Sequence, residues 1–195
     1  MTDREIFLKA RERTIRAYQE IVFYEWLPAM LGPETIQKHN LGDFSKESGY
    51  SPTTDARVAN EFASVAFRFG HSQVTDVLHR FDKNMKRSKY GHLNLRDNYF
   101  SPGRVLKQGG IDPIIRGMLS IACQQVDTKA MDSVRNFLFG TNTKGFDLVA
   151  INIQRGRDHG MPDYNTMRDG LGLIKRGTFE DVTSNREVSS ILKEL

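Results

Sequence analysis

Val58-Ala59-Asn60-Glu61-Phe62-Ala63-Ser64-Val65-Ala66-Phe67-Arg68-Phe69-Gly70-His71-Ser72-Gln73-Val74 reads as one helix with two faces. Val58, Phe62, Val65 and Phe69 fall at i, i+4, i+7 and i+11, the spacing of a stripe turned to a core. Asn60, Ser64, Phe67 and His71 fall on another face, three or four residues apart, so their side chains stack along one side. Gly70 weakens the helix just before His71. A lone histidine on an apolar helix is most often a hydrogen-bonded core residue. A histidine at a helix end, over a floor of small and aromatic residues, also suits the ligand of a flat cofactor. This stretch leaves both open.

A second stretch bears on that choice. Phe146–Leu173 begins in helical pattern, and Leu148, Asn152 and Arg155 share a face through spacings of four and three. Asparagine is a poor residue for a helix interior, because its amide competes for backbone hydrogen bonds. In the middle of Val149-Ala150-Ile151-Asn152-Ile153 it points to a buried, hydrogen-bonded role. Arg155, Arg157 and Asp158 follow directly, and charges beside such a run are buried only when paired.

Together, Phe67-Arg68-Phe69-Gly70-His71 and Asn152-Ile153-Gln154-Arg155-Gly156-Arg157-Asp158-His159-Gly160 resemble the animal haem peroxidases, the family of myeloperoxidase, peroxidasin and thyroid peroxidase. Tyr18-Gln19-Glu20-Ile21, Trp26-Leu27-Pro28, Phe100-Ser101-Pro102 and Gly109-Gly110-Ile111-Asp112-Pro113 agree, in the family's order and over nearly the whole chain. The resemblance implies a mainly α, multi-helix domain over residues 1–195, incomplete at both ends, corresponding to the proximal haem half. It implies a b-type haem whose iron is bound by His71, with Asn152, 81 positions downstream, accepting the other ring N–H through its amide oxygen. An amide is a weaker acceptor than a carboxylate, so the imidazole is expected to stay less electron-rich and the iron potential high. Arg68 and Arg155 match the family's propionate partners, since guanidinium–carboxylate pairs are strong when desolvated; a structural ion pair is the alternative for each. His159 matches a family position but is expected to belong, with Arg157 and Asp158, to a structural network. The distal histidine, glutamine and arginine, the haem-esterifying acids and the calcium loop of the family all precede the segment matching Met1–Leu31. Calcium is therefore expected in a full domain and no distal catalytic residue in this chain. Hydrogen peroxide and a small donor are the implied partners, and an extracellular location follows from the resemblance.

Composition sets limits. With 195 residues, 38% of them hydrophobic, one sizeable core and one domain are expected. Lys and Arg number 28 against 24 Asp and Glu, and the net charge of +4 is too small to argue for nucleic acid. No apolar run reaches the roughly 18 residues of a membrane span, and Met1–Arg11 is too charged for a signal peptide. The single cysteine, Cys123, excludes an internal disulfide and, lying in an apolar run, is expected to be buried.

Along the chain, Asp3–Leu31 is predicted as a long helix bent or ended by Pro28, with Gly32-Pro33 as a break and a short helix over Pro33–Leu41. Gly42–Pro52 is predicted as loop, Thr53 or Thr54 as a helix cap, and Ser72–Phe81 as helix or turn. Asp82–Arg96, with five Lys or Arg, is expected to be a solvated loop, and His79 and His92 ordinary surface or packing residues. Asp112-Pro113 starts a helix, Thr128 caps another running through Leu138, and Gly160-Met161-Pro162 closes the Asn152 helix. Tyr164–Gly170 and Phe179–Leu195 complete the helices, and no strand series is expected.

Three function classes remain open at this level: part of a haem peroxidase, a non-catalytic haem-binding or interaction protein, and, on the basic Asp82–Arg96 segment alone, a helical module for acidic partners.

Overall fold

The structure is a computed structural model that describes residues 1–41, 52–141 and 145–195; most of the loop predicted over Gly42–Pro52 lies outside the described residues. The fold is mainly helical, as expected. The chain divides into two compact units, Met1–Ala56 and Arg57–Leu195.

In the first unit, α1 (Asp3–Glu20) begins with a capping box in which Glu5 N–H donates to Thr2 Oγ1 and Thr2 N–H to Glu5 Oε2, at 3.3 and 2.7 Å. The predicted long helix continues through a π turn at Ile21–Trp26 into α2 (Leu27–Lys38). Pro28 explains the π turn: it has no N–H for the Tyr24 carbonyl and its ring crowds that group, so the preceding turn widens and Leu27 N–H reaches back to Val22 O. Gly32, at φ 77° and ψ 157°, breaks the axis before Pro33 as the sequence indicates.

The second unit departs from the single helix predicted over Val58–Val74. It contains α3 (Asn60–Ser64), a break at Val65 with φ −127° and ψ −66°, and a 3-10 segment over Ala66–Gln73. Valine, β-branched and stiff at χ1, has a slightly lowered helix propensity and so gives up little by leaving helical dihedrals. The stripe expected to face a core is mostly exposed, with Val58 70%, Phe62 47% and Val65 50% accessible. Ala59, rather than Thr53 or Thr54, precedes the helix, and no side chain caps it.

Beyond this segment, β1 (Val77–Leu78) and β2 (Leu93–Asn94) pair antiparallel, Val77 with Asn94 and Leu78 with Leu93. The arm between them, predicted as solvated loop, is pinned by Arg80. That side chain is 1% exposed, and it donates to Gly91 O and Tyr90 O at 2.7 Å and to Gln108 Oε1 at 3.0 Å. His92 Nδ1 accepts from Arg80 N–H at 2.9 Å, and the His92 ring meets His79 edge-on at 4.6 Å. Lys83, Lys86, Arg87 and Lys89 remain exposed.

Next come α4 (Pro102–Lys107) and α5 (Asp112–Ser120), the latter starting at Asp112-Pro113 as predicted. The backbone of α5 at Gly117 presses on β1: a Cβ there would lie 2.0 Å from His79 O. Cys123, expected to be buried, is exposed, and its sulfur accepts from Gln73 Nε2 at 3.4 Å. The helix predicted from Thr128 is the shorter α6 (Asp132–Arg135). It is tied in by Ser133 N–H donating to Asp76 Oδ1 at 2.9 Å and Tyr99 O–H to Ser133 O at 3.0 Å. Leu93, Val134 and Leu138 are the buried hydrophobic residues among those described. α7 (Leu148–Asp158), α8 (Tyr164–Gly170) and α9 (Arg186–Glu194) follow, α9 being shorter than the helix predicted from Phe179. Among the described residues no helix is long and apolar enough to cross a membrane.

Candidate functional site

Two segments carry the residues of interest. α7 is fixed at its start by Asp147, whose Oδ1 accepts from Val149 N–H and Ala150 N–H at 2.8 and 3.1 Å. It ends with His159 as C-cap and Gly160 at φ 62°, where Gly160 N–H bonds Arg157 O and Met161 N–H bonds Gly156 O, at 3.0 and 2.9 Å. That pair of bonds is a Schellman closure, and glycine takes the left-handed position at no steric cost. α7 packs against both α3 and the 3-10 segment that holds His71.

This packing brings His71 and Asn152 together. As the amide is oriented, Asn152 Nδ2–H donates to His71 Nδ1 at 2.7 Å. Asn152 Oδ1 is then a buried acceptor with no hydrogen-bond partner among the described residues. His71 Nε2 also has none there. The two ends of a side-chain amide are nearly identical in shape, so turning the group over places Oδ1 against Nδ1 without moving any other atom. Burial holds the His71 pKa below its ordinary value, the Arg68 guanidinium pushes it the same way, and the Asn152 hydrogen bond opposes them. The neutral ring, which is the form that binds a metal, is the favoured one.

Arg68 is three residues from His71, and its Nε donates to Ala63 O at 2.9 Å. That bond anchors the arm and leaves both terminal nitrogens free of hydrogen bonds to described residues. Arg155 is exposed on α7, three residues past Asn152, and its side chain has no hydrogen bond or ion pair among the described residues. His71, Asn152 and Arg68 thus share one neighbourhood, whereas Arg155 is placed by its helix alone. Across α3 and the 3-10 segment that carries His71, Phe62 and Phe67 stack at 5.0 Å and Phe69 meets Phe67 edge-on at 6.1 Å. The sequence places Phe67 on another face from Phe62 and Phe69; the break at Val65 gathers all three rings.

One group was not foreseen. His159 Nδ1 lies 2.7 Å from Asn60 Oδ1 and 3.1 Å from Ser64 Oγ, and Ser64 O–H donates to Asn60 Oδ1 at 3.1 Å. The expected network around Arg157, Asp158 and His159 is split: Gln154 Nε2 donates to Asp158 Oδ1 at 2.7 Å within α7, while His159 reaches across to α3. No local spacing signals contacts over 95 and 99 positions.

Comparison with known proteins gives a consistent result. A family profile described as Animal haem peroxidase matches residues 1–195. Peroxidasin of Drosophila melanogaster is 36% identical over 196 residues, covering 97% of this chain and 12% of that protein. Peroxinectin A of Dictyostelium discoideum is 35% identical over 98% of this chain and 34% of its own length, and thyroid peroxidase of Sus scrofa 35% identical over 92% and 19%. Among solved structures, peroxidase A of Dictyostelium discoideum superposes with a TM-score of 0.82 at 35% identity, over all of this chain and 35% of that one. The chain therefore spans between 12% and 35% of the length of these relatives.

Proposed function

Because the chain belongs to the animal haem peroxidase family over residues 1–195, we propose that it forms the proximal side of a haem site in a peroxidase that reduces hydrogen peroxide and oxidises a small donor or halide. The haem iron, when bound, supplies the redox chemistry. This chain's own residues hold and tune it. The observation that carries the proposal is the 2.7 Å contact between His71 Nδ1 and the Asn152 amide.

With the amide as oriented, His71 Nδ1 is an acceptor and the proton sits on Nε2. With the amide turned over, the orphaned Asn152 Oδ1 accepts Nδ1–H, and the Nε2 lone pair is free for iron. The residues therefore fit the group: one turn of one amide gives Oδ1 the Nδ1–H donor and prepares the ligand, while Nδ2 takes over the position that Oδ1 held. The depressed His71 pKa keeps that lone pair available near neutral pH. The free ends of Arg68 and the exposed Arg155 suit the two haem carboxylates. The aromatic surface of Phe62, Phe67 and Phe69 offers apolar contact. The family also supports an extracellular location.

Haemin titration of the chain, followed by absorbance, tests this. The wild type is expected to give a saturable Soret shift at one equivalent, and His71→Ala to lose it. Equal, unsaturable binding by both would refute the site. Adding peroxide and a donor to the loaded chain then separates an active peroxidase from a non-catalytic haem-binding protein.

A further inference from the structure

The Asn60–Ser64–His159 cluster is a second tie between the two segments that carry His71 and Asn152. Asn60 Oδ1 is its centre, accepting from His159 Nδ1–H at 2.7 Å and from Ser64 O–H at 3.1 Å. Ser64 is 2% exposed, so its hydroxyl is committed to this cluster rather than to water. The pairings run in opposite senses: Asn60 with His159, and His71 with Asn152. The chain from α3 through the 3-10 segment is therefore antiparallel to α7 and joined to it at two points.

Those points are 11 residues apart on one segment (71 − 60) and 7 on the other (159 − 152). At 1.5 Å per helical residue, 7 residues of α7 are about 10 Å. A single hydrogen bond leaves two packed segments free to pivot about it, whereas two bonds about 10 Å apart fix both the slide and the rotation of one against the other. The tie matters most here because α3 is one short turn and the chain breaks at Val65, so α3 itself cannot hold the His71 segment rigidly. His159 is also well placed as an anchor, since the Schellman closure locks its backbone at the end of α7.

We infer that His159, acting through Asn60 and Ser64, is a positioning residue that holds Asn152 within bonding distance of His71. This rests on the His71–Asn152 pair being the working part of the proposed site, but its test does not need haem. Leucine at 159 removes the donor. Asparagine restores an N–H two bonds from Cβ, the same distance as imidazole Nδ1.

The experiment records the ring ¹⁵N resonances of His71 in the haem-free chain at fixed pH, for wild type, His159→Leu, His159→Asn and, as the broken reference, Asn152→Ala. Haemin titrations are run on the same four proteins. His159→Leu is expected to move the His71 resonances toward those of Asn152→Ala and to weaken haemin binding about tenfold, with His159→Asn restoring both. Unchanged His71 resonances in His159→Leu overturn the inference whatever haemin does. Failure of His159→Asn to restore them also overturns it, because packing of the ring rather than its donor would then be at work. If the resonances respond as expected but wild type and His71→Ala bind haemin alike, the positioning role stands and the haem proposal falls. Should His159→Leu lose its helices by circular dichroism, Asn60→Ala removes the shared acceptor and is judged by the same resonances.

Discussion

His92 and Asn152 each illustrate how one ring or amide nitrogen sets a measurable property. His92 uses Nδ1 as an acceptor for Arg80 N–H, and burial, then His79, Arg87 and Arg80, all lower its pKa. A histidine whose folded pKa lies below its unfolded value of 6.5 contributes stability fully present above pH 6.5 and lost as pH falls through the folded value. The melting temperature of the chain should therefore drop between pH 7 and pH 5. His92→Asn keeps an acceptor near the same place without a titrating group, so it should flatten that part of the profile in a thermal scan across pH. At Asn152 the expected effect is electronic. Asn152→Asp offers His71 a charged and stronger acceptor, which makes the imidazole more electron-rich and favours the ferric state. In the haem-loaded chain a spectroelectrochemical titration should find a lower Fe(III)/Fe(II) potential, and an unchanged or raised one would refute the amide-tuning argument.

Elements here are governed by where backbones approach and where they break. α5 can lie against β1 only because residue 117 is glycine; a methyl group would sit 2.0 Å from the His79 carbonyl oxygen, and that contact is with backbone. Gly117→Ala should therefore force the helix outward and lower the unfolding free energy by about 1–3 kcal/mol, read from urea denaturation. The π turn at Ile21–Trp26 and the break at Val65 are the converse case, in which the helix gives way locally. Pro28 marks the first in the sequence. The second carries no comparable marker, since Ala59–Ala66 contains neither glycine nor proline. The His71 segment consequently depends on long-range ties for its position: Asn152 and His159 on α7, and residues 123–127, which bond Ser72 and Gln73.

For the whole chain, the balance of apolar surface is unusual. Met118 is 75% exposed, Leu119 82%, Phe100 80% and Ile174 83%, while few hydrophobic residues of those described are buried. Exposed apolar surface on this scale binds hydrophobic dyes. The purified chain should raise anilinonaphthalene sulfonate fluorescence at neutral pH without denaturant. Leu119→Glu should reduce that signal while changing stability by no more than about 0.5 kcal/mol, because the side chain is already in solvent. A large loss of stability would mean that Leu119 is covered in solution.

The sequence by itself determined the helical character and many element ends. The Asp112-Pro113 start of α5, the Gly160 stop of α7 and the limits of α8 were all legible, because caps, proline and left-handed glycine act over three or four residues. The family was legible as well, since the two motifs are long and specific. Only the tertiary structure decided which faces are covered. Burial of Arg80, exposure of Cys123 and of the Val58–Val65 stripe, and the crossing from Asn60 to His159 depend on partners 10 to 99 positions away. Hydrophobic periodicity reports that a face is apolar; what packs against that face is set by contacts that no local pattern encodes.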